Sequence, residues 1–243
     1  MTKPFRERIA KAANAKKSPI VLALDPPANR RNLVVYAEKI VGAVEQHVCA
    51  IKLNFHMILP LSTSEISSIN KFAHSFGLQS IADIKINDIE NTNKVALDRL
   101  VEMGFDAVIA NPFIGAAGLA ALVQNAHAAE AGVIALVYMS HPGAKEGFGL
   151  QIRGRGLYRE FLDRAANANA DGIVVGATQL DILRKMRKRL PVYSPGIGTQ
   201  GGNAEDALAS GADYLIIGRT IVGAKQPAKA ASELQRRILS IRK

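Results

Sequence analysis

Ile20-Val-Leu-Ala-Leu24-Asp25-Pro26-Pro27 is a run of five apolar residues closed by a charge and two prolines. A continuous apolar run of that length predicts a strand buried on both faces, as in a parallel sheet covered by helices. The residues after it exclude one common use of such a strand. A dinucleotide-binding turn needs G-x-G-x-x-G behind the first strand, and Asp25-Pro26-Pro27 supplies none of it. What remains is a sheet that closes on itself, provided the run recurs. It does, at Ala50–Leu53, Ser80–Ile84, Ala107–Ala110, Val133–Val137, Gly172–Val175, Val192–Ser194 and Tyr214–Ile217. Between these runs lie segments of helical period, the clearest being Leu33, Tyr36, Ala37, Ile40, Val41, Val44 and Val48. Eight strand–helix units in 243 residues predict an α/β fold of the (β/α)8 barrel type with right-handed crossovers.

The periodic segment Phe5 to Lys16 precedes the first strand and is read as a helix capping the bottom of the barrel. The tail from Pro227 to Ile241 repeats apolar residues at Ala231, Leu234, Ile238 and Ile241 and predicts the last helix. With no Pro/Gly/Ser-rich linker, residues 1–243 are read as one domain. The 48% apolar share is ample for a core and excludes disorder as the dominant state. No apolar window is long enough to span a membrane, and Met1-Thr-Lys-Pro-Phe-Arg-Glu-Arg8 carries charges where a signal peptide needs an apolar run, so a cytoplasmic protein is expected. Cys49 is the only cysteine, which excludes an intramolecular disulfide.

Lys plus Arg number 31 against 21 Asp plus Glu, a net charge of +10 that would attract nucleic acid or phosphorylated metabolites. The densest basic run, Arg184-Lys185-Met186-Arg187-Lys188-Arg189, falls in the helical pattern Leu180, Leu183, Met186, Leu190 and reads as a solvated helix face. No basic stretch is interleaved with stacking rings, so neither nucleic acid nor membrane is expected as a partner.

In a barrel of this type the chemistry belongs at the C-terminal ends of the strands. Strand one ends in Asp25, strand two holds Lys52 and Asn54, and strand three runs into Asp83-Ile84-Lys85-Ile86-Asn87-Asp88. A period of two puts Asp83 and Lys85 on one face, toward the barrel mouth, with Ile84 toward the helices. Asp88 falls where the chain turns into a helix, and an isolated D-x-K-x-x-D would make it the N-cap. Asp83 and Lys85 alone would be a buried ion pair. Two carboxylates and two ammonium groups at one mouth are expensive to desolvate, however, and point to function.

A phosphate site reads separately. Ser194-Pro-Gly-Ile-Gly-Thr-Gln-Gly-Gly202 follows strand seven, with four glycines in seven positions, and Gly218-Arg219-Thr220 follows strand eight and opens the final helix. Backbone N–H groups beside glycine, a helix N-terminus and an arginine together suit an anion, and loops seven and eight are where barrel enzymes grip phosphate. The glycine loop is also long enough to act as a lid. Ser140 in Met139-Ser-His-Pro-Gly143 is placed to hydrogen-bond a ligand ring but lacks the context of a nucleophile. His141 reads as a turn residue, and the histidines at 47, 56, 74, 127 and 141 show neither H-x-H nor H-E-x-x-H spacing, so no metal site is expected.

Leu24-Asp25, Lys52, Asp83-Ile-Lys-Ile-Asn-Asp-Ile89 with Thr92, Met139-Ser-His-Pro-Gly143, Pro195-Gly-Ile-Gly-Thr-Gln-Gly-Gly202 and Gly218-Arg219 together resemble the orotidine 5′-phosphate decarboxylase family in its compact archaeal form. The resemblance runs through the whole chain in order. Where members of this type often carry Tyr three residues after the phosphate arginine, this chain has Val222.

The resemblance implies a homodimer with composite active sites, orotidine 5′-monophosphate (OMP) as substrate, UMP as product and no cofactor. It implies that Asp25 and Lys52 hold the ribose 3′-hydroxyl and that Asp83 and Lys85 flank the scissile carboxylate. Asp88 and Thr92 would cross the dimer to the 2′-hydroxyl side, and Ser140 would read the pyrimidine edge. Gln200, Gly198, Gly218 and Arg219 would take the phosphate. Three rivals are weighed against it. Mg²⁺-dependent sugar-phosphate decarboxylases and synthases of the same superfamily share D-x-K-x-x-D. A Schiff-base aldolase would need a neutral lysine, which Lys85 between carboxylates does not offer. A nucleic-acid binder would rest on net charge alone.

Overall fold

The computed structural model describes residues 3–186 and 189–241. Eight parallel strands close into a barrel: β1 (Ile20–Leu24), β2 (Ala50–Asn54), β3 (Gln79–Ile86), β4 (Ala107–Ala110), β5 (Gly132–Tyr138), β6 (Gly172–Val175), β7 (Val192–Pro195) and β8 (Tyr214–Ile217). Each pairs with the next, and β8 closes the ring on β1 with Ile20 opposite Leu215 and Leu22 opposite Ile217. Ile20, Leu22 and Leu24 are fully buried. Each such side chain contributes about 1.5–3 kcal/mol of transfer free energy, which is why unalternated apolar runs become barrel strands.

The helices are α1 (Phe5–Lys16), α2 (Leu33–Val44), α3 (Phe55–Ile58), α4 (Thr63–Ser75), α5 (Glu90–Glu102), α6 (Gly115–Ala128), α7 (Leu157–Asn167), α8 (Leu180–Met186), α9 (Ala204–Ala209), α10 (Arg219–Val222) and α11 (Pro227–Ile241). No helix among the described residues is long and apolar enough to cross a membrane. α2 buries Tyr36, Ala37, Ile40, Val41 and Val44 and stops there, so Val48 fills the core from the connection to β2. An apolar residue looks the same to the core from a helix or from a buried turn, hence the over-long reading. The final helix spans Pro227 to Ile241 as expected, but Gly218-Arg219-Thr220 does not open it. Gly218-Arg219-Thr220 opens the single turn α10, which ends at Gly223, and α11 starts afresh at Pro227. Arg184 and Lys185 are exposed on α8, while Arg187 and Lys188 of the basic run lie outside the described residues.

At the bottom of the barrel, α1 buries Phe5 and Ile9, and a Cβ on Gly132 at the start of β5 would stand 2.6 Å from the Phe5 ring. Arg8 reaches Gln79 and Asp106 below β3 and β4, and Arg6 donates to the Ala170 carbonyl below β6. Three aspartates ahead of even-numbered strands pin the preceding odd strand by its first N–H groups: Asp106 accepts from Ser80 at 2.8 Å, Asp171 from Val133 at 2.9 Å and Asp213 from Val192 at 2.8 Å. Inside, Tyr193 and Tyr214 stack at 4.6 Å, and Gly172 makes room for the Tyr193 ring. Above this aromatic layer the barrel is open.

Candidate active site

The residues at the strand ends line a cavity of about 270 Å³ at the C-terminal mouth. By the alternation of each strand, Ala23, Lys52, Asp83, Ile109, Leu136, Val174, Pro195 and Ile216 form one inward layer, and all eight line it. Six of those are apolar, so the two charges lie in a poorly solvated floor. Asn54 and Lys85, two residues further along β2 and β3, and Asp25, just past the end of β1, form its wall.

These side chains make one continuous polar chain. Asp25 Oδ1 accepts from Asn54 Nδ2 at 2.7 Å, and the Asn54 amide oxygen accepts from Lys52. Lys52 Nζ donates to Asp83 Oδ2 at 2.6 Å, and Lys85 Nζ to Asp83 Oδ1 at 2.8 Å. Asp83 is therefore held by an ammonium group on each oxygen. Burial drives its carboxyl upward, but the charges of Lys52 and Lys85 outweigh this and hold it below the ordinary carboxylate range. Removing either cation would leave a buried charge poorly compensated, and that energy keeps both ammonium groups in place.

Asp83 and Lys85 do meet on one face, but regular alternation is not the reason. Lys85 has φ of 50°, in the left-handed region, and the pairing of β3 with β4 shifts register between Ala82 and Ile86. The strand is bulged here, and the bulge aims the lysine. A non-glycine residue held in that region costs on the order of 1–2 kcal/mol, which the ion pair to Asp83 helps to offset.

Asp88 is not the N-cap. Ile89 occupies that position, Asp88 Oδ1 accepts from the Ile89 N–H at 2.7 Å, and Asn93 brackets the Asp88 backbone with bonds to its N–H and carbonyl. Asp88 and Thr92 are exposed and stand outside the cavity of their own chain.

On the opposite wall, Ser140 Oγ donates to Gln200 Oε1 at 2.6 Å, joining the loop after β5 to the glycine loop after β7. Gly176 permits this, because a Cβ there would meet the Ser140 Cα at 2.5 Å. The glycine loop is folded on itself: Gly198 donates to Gly202 at 2.8 Å, Gly201 to Gly198 at 2.8 Å and Gly202 to Gly196 at 3.0 Å. These N–H groups are thus not offered outward. Those of Thr199 and Gln200, which line the cavity, have no acceptor among the described residues. Gly198 (φ 76°) stands outside the lining, and its missing side chain lets Thr220 approach. Gly218 and Arg219 complete the wall, and Arg219 is exposed, its guanidinium making no ion pair or hydrogen bond among the described residues.

Of the residues named from sequence, Asp25, Lys52, Asp83, Lys85, Ser140, Gln200, Gly218 and Arg219 share the cavity, while Gly198, Asp88 and Thr92 do not line it. Asn54, in the sequence only a polar neighbour of Lys52, links Asp25 to Lys52. Its spacing of two from Lys52 on a strand was the available signal. His141, read as a turn residue, also lines the cavity.

A family model described as "Orotidine 5'-phosphate decarboxylase / HUMPS family" matches residues 18–234. The chain is 37% identical over 223 residues to orotidine 5′-phosphate decarboxylase of Methanosarcina barkeri, covering 90% of this chain and 94% of the relative. It is 35% identical over 219 residues to that of Pyrococcus abyssi, covering 88% and 96%. Among solved structures, orotidine 5′-monophosphate decarboxylase of Methanocaldococcus jannaschii, complexed with inhibitor BMP, matches with TM-score 0.78 and 29% identity over 90% of this chain and 97% of that one. UMP synthase of Leishmania donovani reaches TM-score 0.89 at 24% identity, over 99% of this chain and 57% of that longer one, a likeness of fold alone. The matched span begins just ahead of β1 and ends within α11, taking in every strand and loop that builds the cavity, and the chain belongs to the orotidine 5′-phosphate decarboxylase / HUMPS family.

Proposed function

We propose that this chain is a cytoplasmic carboxy-lyase that converts OMP to UMP in pyrimidine synthesis, without a cofactor, using Lys85. The observation that carries the reading is the Lys52–Asp83–Lys85 array, two cations fixed on one buried carboxylate in an apolar-floored cavity. Loss of CO2 breaks the bond from C6 and leaves the electron pair in the plane of the pyrimidine ring, where no π system takes it up. A fixed cation serves that anion. An ammonium at ~4 Å with an effective dielectric of about 20 contributes roughly 4 kcal/mol. Lys85 then gives its proton to C6 and is reprotonated from solvent. Asp83 keeps Lys85 charged and aimed.

Asp25 and Lys52, with Asn54, would hold the ribose, and Ser140 and Gln200 the base. Arg219, Gly218 and the free N–H groups next to Gly198 would hold the phosphate. The exposure of Asp88 and Thr92 fits a homodimer in which they complete the partner's site. The Mg²⁺-dependent sugar-phosphate alternative is less well supported, because both oxygens of Asp83 already take ammonium groups and no three His, Cys, Asp or Glu among the described residues gather to hold a metal.

The test is loss of ultraviolet absorbance on incubation with OMP, with and without EDTA. The reading predicts turnover that EDTA does not touch. Arg219→Ala extends the test to the phosphate. Loss of a charge-assisted contact of about 1.5–3 kcal/mol per bond should lower kcat/KM by about two to four orders of magnitude for OMP and hardly at all for the nucleoside. Equal damage to both substrates would refute the phosphate assignment.

A further inference from the structure

The carboxylate of Asp25 is approached by more groups than the proposed chemistry uses. Oδ1 accepts from Asn54, while Oδ2 faces Gly218, where a Cβ would stand 2.6 Å away. The missing side chain keeps Oδ2 open to the cavity. His56 Nε2 stands 3.9 Å from Oδ1 and has no other hydrogen bond or ion pair among the described residues. Its place follows from the way β2 runs straight into α3. Asn54 sits at the N-cap of α3 with φ −88° and ψ 173°, yet makes no cap bond, its side chain being committed to Asp25 and Lys52. The helix that starts there returns residue 56 to the same carboxylate. The remaining neighbours do not fix Asp25. Tyr36 of α2 has a buried hydroxyl with no hydrogen-bond partner among the described residues, and the Arg30 guanidinium lies 5.2 Å over the Tyr36 ring.

The terminal torsion of aspartate is broad, so one hydrogen bond to Oδ1 leaves the carboxylate free to pivot. We propose that His56 is a positioning residue that gives Oδ1 a second hold and so presents Oδ2 to a hydroxyl of the bound sugar. This rests on the reading of the cavity as a ribonucleotide site. Because His56 is about half exposed, the contact is screened and its effect modest.

The experiment compares wild type, His56→Ala and His56→Gln with OMP and its 3′-deoxy analogue as substrates, and by calorimetry with UMP and 3′-deoxy-UMP. Expected is a KM for OMP raised about two- to five-fold in His56→Ala, kcat barely changed, no difference between the proteins with the 3′-deoxy substrate, and recovery in His56→Gln, which keeps an N–H donor. An unchanged KM, an equal loss with the 3′-deoxy compound, or a glutamine variant as impaired as the alanine variant overturns the proposal. If wild type binds UMP but does not turn over OMP, the catalytic reading fails and the calorimetric comparison alone decides on His56. A wild type that binds no UMP overturns both.

Discussion

Gly218→Ala perturbs the proposed site through one atom. Its φ is −110°, outside the left-handed region. The new Cβ would stand 2.6 Å from Asp25 Oδ2 and 3.3 Å from the Ala23 Cβ. Ordinary contact needs roughly 0.9 Å more, given contacts near 3.5 Å, and the Asp25 carboxylate is the group able to move. Turning it away breaks its 2.7 Å bond from Asn54. Such a bond to a charged group is worth about 1.5–3 kcal/mol, so kcat/KM for OMP should fall by about 10- to 150-fold. The melting temperature should move by only a few degrees, since the displaced carboxylate can turn into the open cavity. The assay is steady-state decarboxylation beside a thermal melt, with Gly147→Ala as control, because a Cβ at Gly147 meets nothing within 4 Å. Activity within about three-fold of wild type, in a variant as stable as wild type, would show that catalysis does not depend on where Asp25 stands.

Lys85→Ala should abolish turnover while UMP still binds, and a variant keeping a tenth of wild-type kcat would remove Lys85 from the role of acid. Mixing Lys85→Ala with Asp88→Ala chains should restore activity, because a heterodimer holds one site with both residues intact; mixtures that exchange subunits and stay dead would place Asp88 in the site of its own chain. Asp83 is depressed in the folded state, so its contribution to stability is present above the unfolded carboxylate value of about 3.9 and is lost as pH falls through the lower folded value. Urea unfolding of wild type and Asp83→Asn should therefore differ by a constant amount above about pH 5 and converge in stronger acid, and a gap that persists to the acid limit would contradict the ion-pair account.

Much of the barrel was legible because its strands are buried on both faces and are spelled by continuous apolar runs such as Ile20–Leu24 and Tyr214–Ile217. The site was legible in outline because residues at the ends of parallel strands share one mouth whatever the loops do. Boundaries were less so. Periodicity carries the second helix on to Val48 and joins Gly218-Arg219-Thr220 to the final helix, because it does not register a turn whose apolar residue still faces the core, whereas the Pro227–Ile241 span itself is legible.

Composition and periodicity by themselves determined the barrel, the strand ends that carry Asp25, Lys52, Asp83 and Lys85, and the glycine loop beside Arg219, because local pattern dictates which residues alternate inward and which can turn. Tertiary structure alone decided the left-handed backbone at Lys85, the diversion of Asn54 from helix cap to Asp25, the bond from Ser140 to Gln200, and the turning of Asp88 away from its own cavity. Each of these joins or separates residues on different elements. The energies that select them are ion pairing in an apolar floor, the register shift between β3 and β4, and clashes relieved at Gly176 and Gly218, and they arise only once the ring of strands has closed.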